Sequence, residues 1–325
     1  RTPDEVRDAI LLCGLIARST GHVRTGIGAA RQDVNVSVRG GNRVEIKGVA
    51  KADYAAKLVH NEAIRQVNLL KLRDALRERG FRSPDDVQVR AADVTDIFRA
   101  VDLTYMQRAL ATDGERIFAI KVAGVAEFAE HPTQPDLTFL DELSGRIRVI
   151  ACLDELPIIL NGARLPEFPD VHRIRERVKK RLRVAENDAF FLVWGPEADC
   201  RTAADEIRIR WADALEGVPK ETRKSLLGGL TTFERILPGP DRMYPDTDSP
   251  PTRVTAERVE RLRAALPPLP WDRFVRYGGW GVPDETTSFL IRRGGATIVD
   301  AVVAETGAAG RTVAIEIGQR AKALQ

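Results

Sequence analysis

The sequence of 325 residues predicts a multidomain α+β chain, and three observations carry that prediction. Apolar and polar residues alternate across 33–47, the mark of a β-hairpin with one buried face. Residues 52–80 keep helical spacing throughout. The texture then changes to shorter helices and strands over 95–215, and to short helices alone from Thr255 onward. At ~100 to 200 residues per domain, a chain of this length holds two or three.

Taken in order, Thr2-Pro3-Asp4-Glu5 is a helix start, with an N-cap hydroxyl, proline in the first turn and acids facing the dipole. Val6, Ala9, Ile10, Cys13 and Ile16 follow helical spacing, and Gly21 ends the run. In the hairpin, a three-residue loop of Gly40, Gly41 and Asn42 would pair Val38 with Val44 and Val36 with Ile46. Val34, Val36, Val38, Val44 and Ile46 then share the apolar face. The opposite face carries Asp33, Asn35, Ser37, Arg39, Arg43, Glu45 and Lys47. A solvated face is one reading of it. A functional surface is the other, since Asp and Asn are poor strand formers.

Along the long helix, Leu58, Leu69, Leu72 and Leu76 form an apolar stripe that Glu62 and Arg65 interrupt on the same line. Two charges in such a stripe need partners, which they find in each other at i,i+3 or in a polar site they face together with Gln66. Farther along, 116–122 and 189–194 read as strands and 205–215 as a helix ending at Gly217. The basic run 173–183 lies on a helix with Ile174, Val178 and Leu182 as its buried line. Its exposed side is either a solvated face or a contact for nucleic-acid phosphates. Glu221-Thr222-Arg223 and 231–251 read as loops, rich in Gly and Pro. Within them, Asp241, Arg242, Tyr244, Asp246 and Asp248 are held extended by Pro245, Pro250 and Pro251, presenting charge without burying it.

No apolar run reaches the ~18 residues of a membrane span, and the N-terminus is no signal peptide, so a soluble, cytoplasmic protein is expected. Cys13, Cys152 and Cys200 are too few and too scattered for a disulfide or metal framework; buried free thiols are expected. The net charge is only +3, but Arg outnumbers Lys about fourfold, and its planar fork suits phosphate and carboxylate. A GC-rich codon bias gives the same skew. There is no P-loop, no His-Glu-x-x-His and no Gly-x-Ser-x-Gly, and the four histidines are scattered. Chemistry falls to carboxylates, arginines and hydroxyls, a set that suits magnesium and phosphate.

Four segments carry a resemblance: Gly26-Ile27-Gly28 with Arg31-Gln32-Asp33-Val34-Asn35-Val36-Ser37-Val38; Arg43-Val44-Glu45-Ile46-Lys47-Gly48-Val49; Asn61-Glu62-Ala63-Ile64-Arg65-Gln66; and 217–223 continuing through 237–248. In their order and content the sequence resembles the E subunit family of the archaeal glutamyl-tRNA(Gln) amidotransferases, with the B subunit of the three-subunit bacterial enzyme as a close relative. The resemblance implies a catalytic cradle domain over 1–94 and 217–252. Inserted at 95–216 is an α+β domain like that of bacterial-type aspartyl-tRNA synthetases, and an all-α helical domain starts at 253–325. The insert is expected to fold autonomously with its two ends close together. An internal fragment is implied, without the family's N-terminal part and C-terminal tail domain.

The activity implied is ATP- and Mg²⁺-dependent conversion of Glu-tRNA(Gln) to Gln-tRNA(Gln), with an asparaginase-like ammonia-producing subunit and tRNA(Gln) as partners in a hetero-oligomer. By the same resemblance Arg31, Asp33, Asn35, Glu45, Lys47 and Arg242 are catalytic, and Ser37, Arg65 and Tyr244 bind the cofactor. Asp33, Glu45, Asp246 and Asp248 hold the metal. Asp246 stands where the family usually has Glu, which shortens that arm by one methylene. The alternative is a non-catalytic fragment that docks tRNA or a partner subunit. An aspartyl-tRNA synthetase would share the insert, but no class II motif surrounds it.

Overall fold

The computed structural model describes the chain apart from residues 1, 25, 27, 28, 30, 50, 100, 102, 238–249 and 321–325. Arg242, Tyr244, Asp246 and Asp248 therefore lie outside the described residues. The chain forms two compact units: Gln32–Pro238, and a second made of Arg1–Arg31 with Gly239–Gln325.

After α1 (Pro3–Ser19), the larger unit begins with the hairpin of β1 (Gln32–Val36) and β2 (Val44–Val49). Val36 pairs with Val44, Asn35 with Glu45 and Val34 with Ile46, two residues from the expected register. Helix α2 (Ala52–Glu78) is the cause. The Gln66 Oε1 accepts from the Val38 N–H at 3.0 Å and its Nε2 donates to the Val36 carbonyl at 3.1 Å, so the helix takes bonds that the ladder would have used. The connection lengthens, and Ser37, Arg39 and Arg43 leave the strands for it. A shift of two preserves parity, so Val34, Val36, Val44 and Ile46 are buried and Asp33, Asn35, Glu45 and Lys47 share the outer face.

Glu221-Thr222-Arg223 and 231–236, expected as loops, are strands β7 (Glu221–Ser225) and β8 (Thr231–Ile236). They complete a four-stranded sheet of order β1-β2-β7-β8, with β7 parallel to β2. Their polar sequence hides them: Arg223, Thr222 and Glu221 are buried and bonded, so alternation by hydrophobicity does not show. At the tip between β7 and β8 Gly229 has φ +80°, its carbonyl accepts from Asn61 Nδ2 at 2.9 Å, and an added Cβ would sit 2.6 Å from Lys57 Cβ.

Between these halves lies the inserted segment. It starts earlier than residue 95, because β3 (Val89–Asp93) already belongs to its sheet. After α3 (Thr95–Phe98) and α4 (Thr104–Leu110) come β4 (Glu115–Val122), α5 (Phe139–Ile150) and β5 (Leu160–Asn161). The segment closes with α6 (Val171–Leu182), β6 (Ala189–Pro196) and α7 (Glu197–Glu216), which begins eight residues before the helix expected at 205. The sheet order is β3-β4-β6-β5, antiparallel throughout. Ile117, Ala119, Phe190, Leu192 and Trp194 face α3, α4 and α6. Phe118, Ile120, Phe191 and Val193 face the other way, into a core that also contains Leu69, Leu72 and Leu76 of α2.

That shared core corrects the expectation of an autonomous insert. The ends of the segment do meet, since Arg77 near the end of α2 donates to the carbonyl of Leu215 near the end of α7 at 2.9 Å. Its apolar interior is nonetheless continuous with that of α2 and Val44. The thiols also differ from expectation: Cys200 is buried, whereas Cys13 and Cys152 are exposed, because α1 buries none of its residues and Cys152 follows the end of α5.

In the smaller unit the expected N-cap Thr2 forms a capping box with Glu5, and Leu15 packs with the C-terminal helices, so the stretch expected to open the cradle domain groups with them instead. The unit's other helices are α8 (Ala256–Ala264), α9 (Pro270–Gly279), α10 (Asp284–Arg292), α11 (Gly295–Thr306) and α12 (Gly310–Ile315). Tyr277, Leu290, Ile291 and Val299 form their core. The Tyr277 hydroxyl lies 2.7 Å from the Asp300 carboxylate, which also holds Arg273 at 3.0 Å. No helix among the described residues is long and apolar enough to cross a membrane.

Substituting Gly229→Ala should destabilise the fold by about 1–3 kcal/mol, through overpacking against α2 and a left-handed backbone that alanine resists. The urea midpoint measures it; a midpoint equal to that of the wild type would show that the tip is not seated on α2 as described.

Candidate functional site

The two faces of the first sheet do different things. On the outer face β1 and β2 bring Asp33, Asn35, Glu45 and Lys47 together. Lys47 Nζ lies 2.7 Å from Glu45 Oε1 and 3.2 Å from Asp33 Oδ2, bridging two acids on neighbouring strands. The Gly48 N–H donates to Asp33 Oδ1 at 2.9 Å. That backbone bond first, and Lys47 second, hold the Asp33 carboxyl below its usual range despite partial burial. The bond to Glu45, then that to Asp33, raises the Lys47 ammonium above its usual range. Thr222 and Lys224 of β7 stand opposite Glu45 and Lys47; Lys224 is exposed, whereas Thr222 is buried and its hydroxyl bonds Glu234 at 3.1 Å.

Three of these side chains are only partly exposed, at 39% for Asp33, 20% for Glu45 and 27% for Lys47, so they are fixed yet reachable. Asn35 and Ser37 are exposed, Ser37 one residue past β1, and Arg31 is exposed just before it. Of the expected site residues, Asp33, Asn35, Glu45 and Lys47 are thus gathered. Among the described residues no three His, Cys, Asp or Glu side chains are grouped as a complete metal site. Two hard carboxylates beside one ammonium fit a Mg²⁺ that keeps several waters and phosphate ligands, which is how that ion is ordinarily bound.

The inner face carries the residues that sequence reasoning misses. Arg65 is fully buried, and the expectation that it contacts a nucleotide is corrected by what surrounds it. Its Nε and Nη2 fork onto the two oxygens of Glu142 at 2.8 and 2.7 Å, Nη2 also reaches Glu221 at 2.6 Å, and Nη1 reaches Glu62 at 3.0 Å. Arg223 bonds Glu221 at 2.5 Å, Glu142 at 3.1 Å and the Thr231 hydroxyl at 2.8 Å. Arg210 approaches Glu142 at 3.3 Å and lies over the Phe139 ring at 4.6 Å.

Three arginines and three glutamates therefore balance in a buried space between α2, α5, α7 and β7. Burial alone would raise the Glu142 carboxyl, but Arg223 and Arg65 bring it well below the usual range. Burial likewise opposes charge on Arg65, and Glu142, Glu62 and Glu221 overcome it, leaving that guanidinium well above its ordinary value. On Arg210, with its one long bond, burial prevails and the value falls. A sequence signal exists only for the pair on α2, whose charges interrupt an apolar stripe. Glu142, Arg210 and Glu221 lie on three other elements, and nothing local marks them.

Beside this network is a cavity of about 160 Å³ lined by Gln134, Glu142, Arg148, Arg223, Thr231 and Thr232. Pockets for small molecules usually run to ~300–1,000 Å³, so this cavity is too small for a nucleotide.

Comparison with known proteins gives one family. A family model described as the GatB/GatE catalytic domain matches residues 1–260. The E subunit of glutamyl-tRNA(Gln) amidotransferase from Methanocaldococcus jannaschii is 38% identical over 277 residues, covering 85% of this chain and 43% of that protein. The protein of the same name from Methanopyrus kandleri is 36% identical over 310 residues, 94% of this chain and 47% of its own length. That from Pyrococcus furiosus is 38% identical over 275 residues, covering 85% and 43%. The chain spans less than half the length of these relatives.

Two outcomes test this geometry. Replacing Glu142→Gln leaves three buried guanidiniums short of an anion and should cost about 3–5 kcal/mol at neutral pH, the usual scale for breaking a buried pair. Because the folded Glu142 value is lowered, its contribution is complete above the unfolded value, near pH ~4.3, and is lost as pH falls through the folded one. The variant's stability should therefore fall less steeply in that acid range, as urea titrations at several pH values would reveal. In Lys47→Met, the Asp33 midpoint followed by NMR should rise yet stay below the ordinary range, since the Gly48 N–H remains; no movement would mean that Lys47 does not reach Asp33.

Proposed function

Because the chain belongs to the GatB/GatE catalytic domain family, we propose that it is the catalytic part of an ATP-dependent tRNA amidotransferase subunit that converts Glu-tRNA(Gln) to Gln-tRNA(Gln). The reading rests on one observation above all, the Asp33–Lys47–Glu45 constellation on the outer face of a rigidly backed sheet. ATP would supply the phosphoryl group that activates the glutamate γ-carboxylate, and Mg²⁺ would neutralise its phosphates.

The residues divide the work by their chemistry. Asp33 and Glu45 are hard oxygen donors for the metal, with Asp33 kept ionised by the Gly48 N–H. Lys47, lying between them, places a cation where phosphoryl oxygens would approach the two acids, and its charge counters the negative charge that grows during transfer. Asn35, beside Glu45 in the ladder, offers an amide to orient the acceptor carboxylate or the ribose. Arg31 and Ser37 flank β1 and would complete the phosphate contacts. Arg242, Tyr244, Asp246 and Asp248 join this proposal on sequence alone. The activated carboxyl would then be attacked by ammonia, the nitrogen bonding to the carbonyl carbon and losing a proton as the bond to the departing phosphate breaks. A separate ammonia-producing subunit is the partner this requires, and tRNA(Gln) is the substrate carrier.

The test uses the full-length subunit with its ammonia-producing partner. Glu45→Gln and Lys47→Met should each lower ATP-dependent conversion of Glu-tRNA(Gln) by about a hundredfold or more, the scale of losing one electrostatic stabiliser. Affinity for tRNA should hardly change. Activity equal to wild type in both would overturn the placement of the site, and wild-type complex that binds tRNA without converting it would favour a docking role.

A further inference from the structure

We infer that the exposed face of α6 is a docking surface for the phosphate backbone of RNA, taken here to be the tRNA of the function proposed above, on which this inference rests. The sequence of α6 places Arg173, Arg177 and Lys180 at i, i+4 and i+7, hence in one line on the helix. At ~1.5 Å of rise per residue the line runs about 10 Å. All three are exposed, and none makes an ion pair or side-chain hydrogen bond among the described residues.

Their neighbours make the contrast. Lys179 is held by Glu176 at 2.9 Å, and Arg181 forks onto Asp96 at 2.6 and 2.9 Å, while Arg177 acts on Asp96 only at longer range. The flanks of the helix are therefore neutralised by local acids while its central line is not. The line extends beyond the helix: Arg183 caps it in the left-handed region at φ 53°, and its carbonyl accepts from Lys121 Nζ at 3.1 Å. Lys121 is cross-strand from Arg90, which is also exposed and without an ion pair among the described residues. Arg173, Arg177, Lys180, Arg183 and Arg90 thus follow α6 and the adjoining strand β3 with no described carboxylate within ion-pair distance of them.

The other face of α6 decides the class of partner. Val171, Ile174, Val178 and Leu182 are buried in the core beneath the second sheet, so the helix has no apolar side left to insert into a lipid surface. Its exposed side holds no Trp, Tyr or aliphatic side chain to anchor a protein partner. Arginine forks on a rigid rod, unpaired with acids, are suited to phosphates. Contacts of this type position a nucleic acid without reading its sequence.

The experiment measures tRNA(Gln) affinity against salt for the full-length subunit with its partner. In the variant Arg173→Gln, Arg177→Gln, Lys180→Gln, the slope of log K against log [salt] should shrink by about 2–3, since each lost phosphate contact removes ~0.7–0.9, and affinity at low salt should fall about tenfold or more. Each single substitution should remove about one unit at most, which keeps the test decisive if the triple variant misfolds. Arg148→Gln, Arg201→Gln, Arg208→Gln, an equal charge loss on α5 and α7 across the sheet, should leave the slope unchanged. If the α6 variants keep the wild-type slope while the wild type binds and converts its substrate, the inference fails and the proposed function stands. If instead they lose the partner subunit, the surface belongs to an acidic protein and the inference is overturned. Wild-type complex that binds no tRNA would overturn both.

Discussion

Charge balance in a buried interior is the constraint on which the larger unit depends. Glu62 and Arg65 come from α2, Glu142 from α5, Arg210 from α7, and Glu221 and Arg223 from β7. Burying any of these alone would cost several kcal/mol. Each element is therefore acceptable only when the others are in place, and the inserted segment and the first sheet must dock in one arrangement. Apolar contacts around Leu69, Leu72 and Trp211 supply the drive to bury the surface, but such contacts tolerate sliding. The forked bonds of Arg65 and Arg223 do not.

The same alternation that buries the network builds the site. Along β2, Ile46 points inward while Glu45 and Lys47 point outward; along β7, Arg223 points inward while Thr222 and Lys224 lie opposite Glu45 and Lys47. A shift of β7 by one residue would bring Arg223 to the surface and put Lys224 beside the glutamates. The register of the outer polar face is thus set from beneath, by buried ions. The inserted segment helps to set that register, because Glu142 bonds Arg223 of β7 and Arg210 in turn reaches Glu142.

Much of this is legible in the sequence where one element suffices to make the pattern. Period two marks the outer face of β1 and β2, helical period marks α2, and Ile174, Val178 and Leu182 mark the buried line of α6. What the pattern cannot supply is whatever depends on a distant partner. Gln66 lies 28 residues from Val38, yet it sets the length of the hairpin connection. β7 reads as a loop because its buried residues are ions neutralised by α2 and α5, and polar composition then masks the strand. Arg65 reads as cofactor-binding only through the resemblance, while its pattern alone leaves open a pair with Glu62 at i,i+3; that pair forms at 3.0 Å, and the further anions Glu142, 77 residues on, and Glu221 have no local signature.

The most direct test is native-state hydrogen exchange of the chain at increasing urea. If the ion network and shared core join the inserted segment to the first sheet, amides of β2 and β7 should open with the same free energy and the same urea slope as those of β4 and β6, because they open in one event. Protection of β4 and β6 that outlasts that of β2 and β7, with a smaller urea slope for the latter, would mean that the insert folds by itself and that the buried charges do not bind the two into one unit.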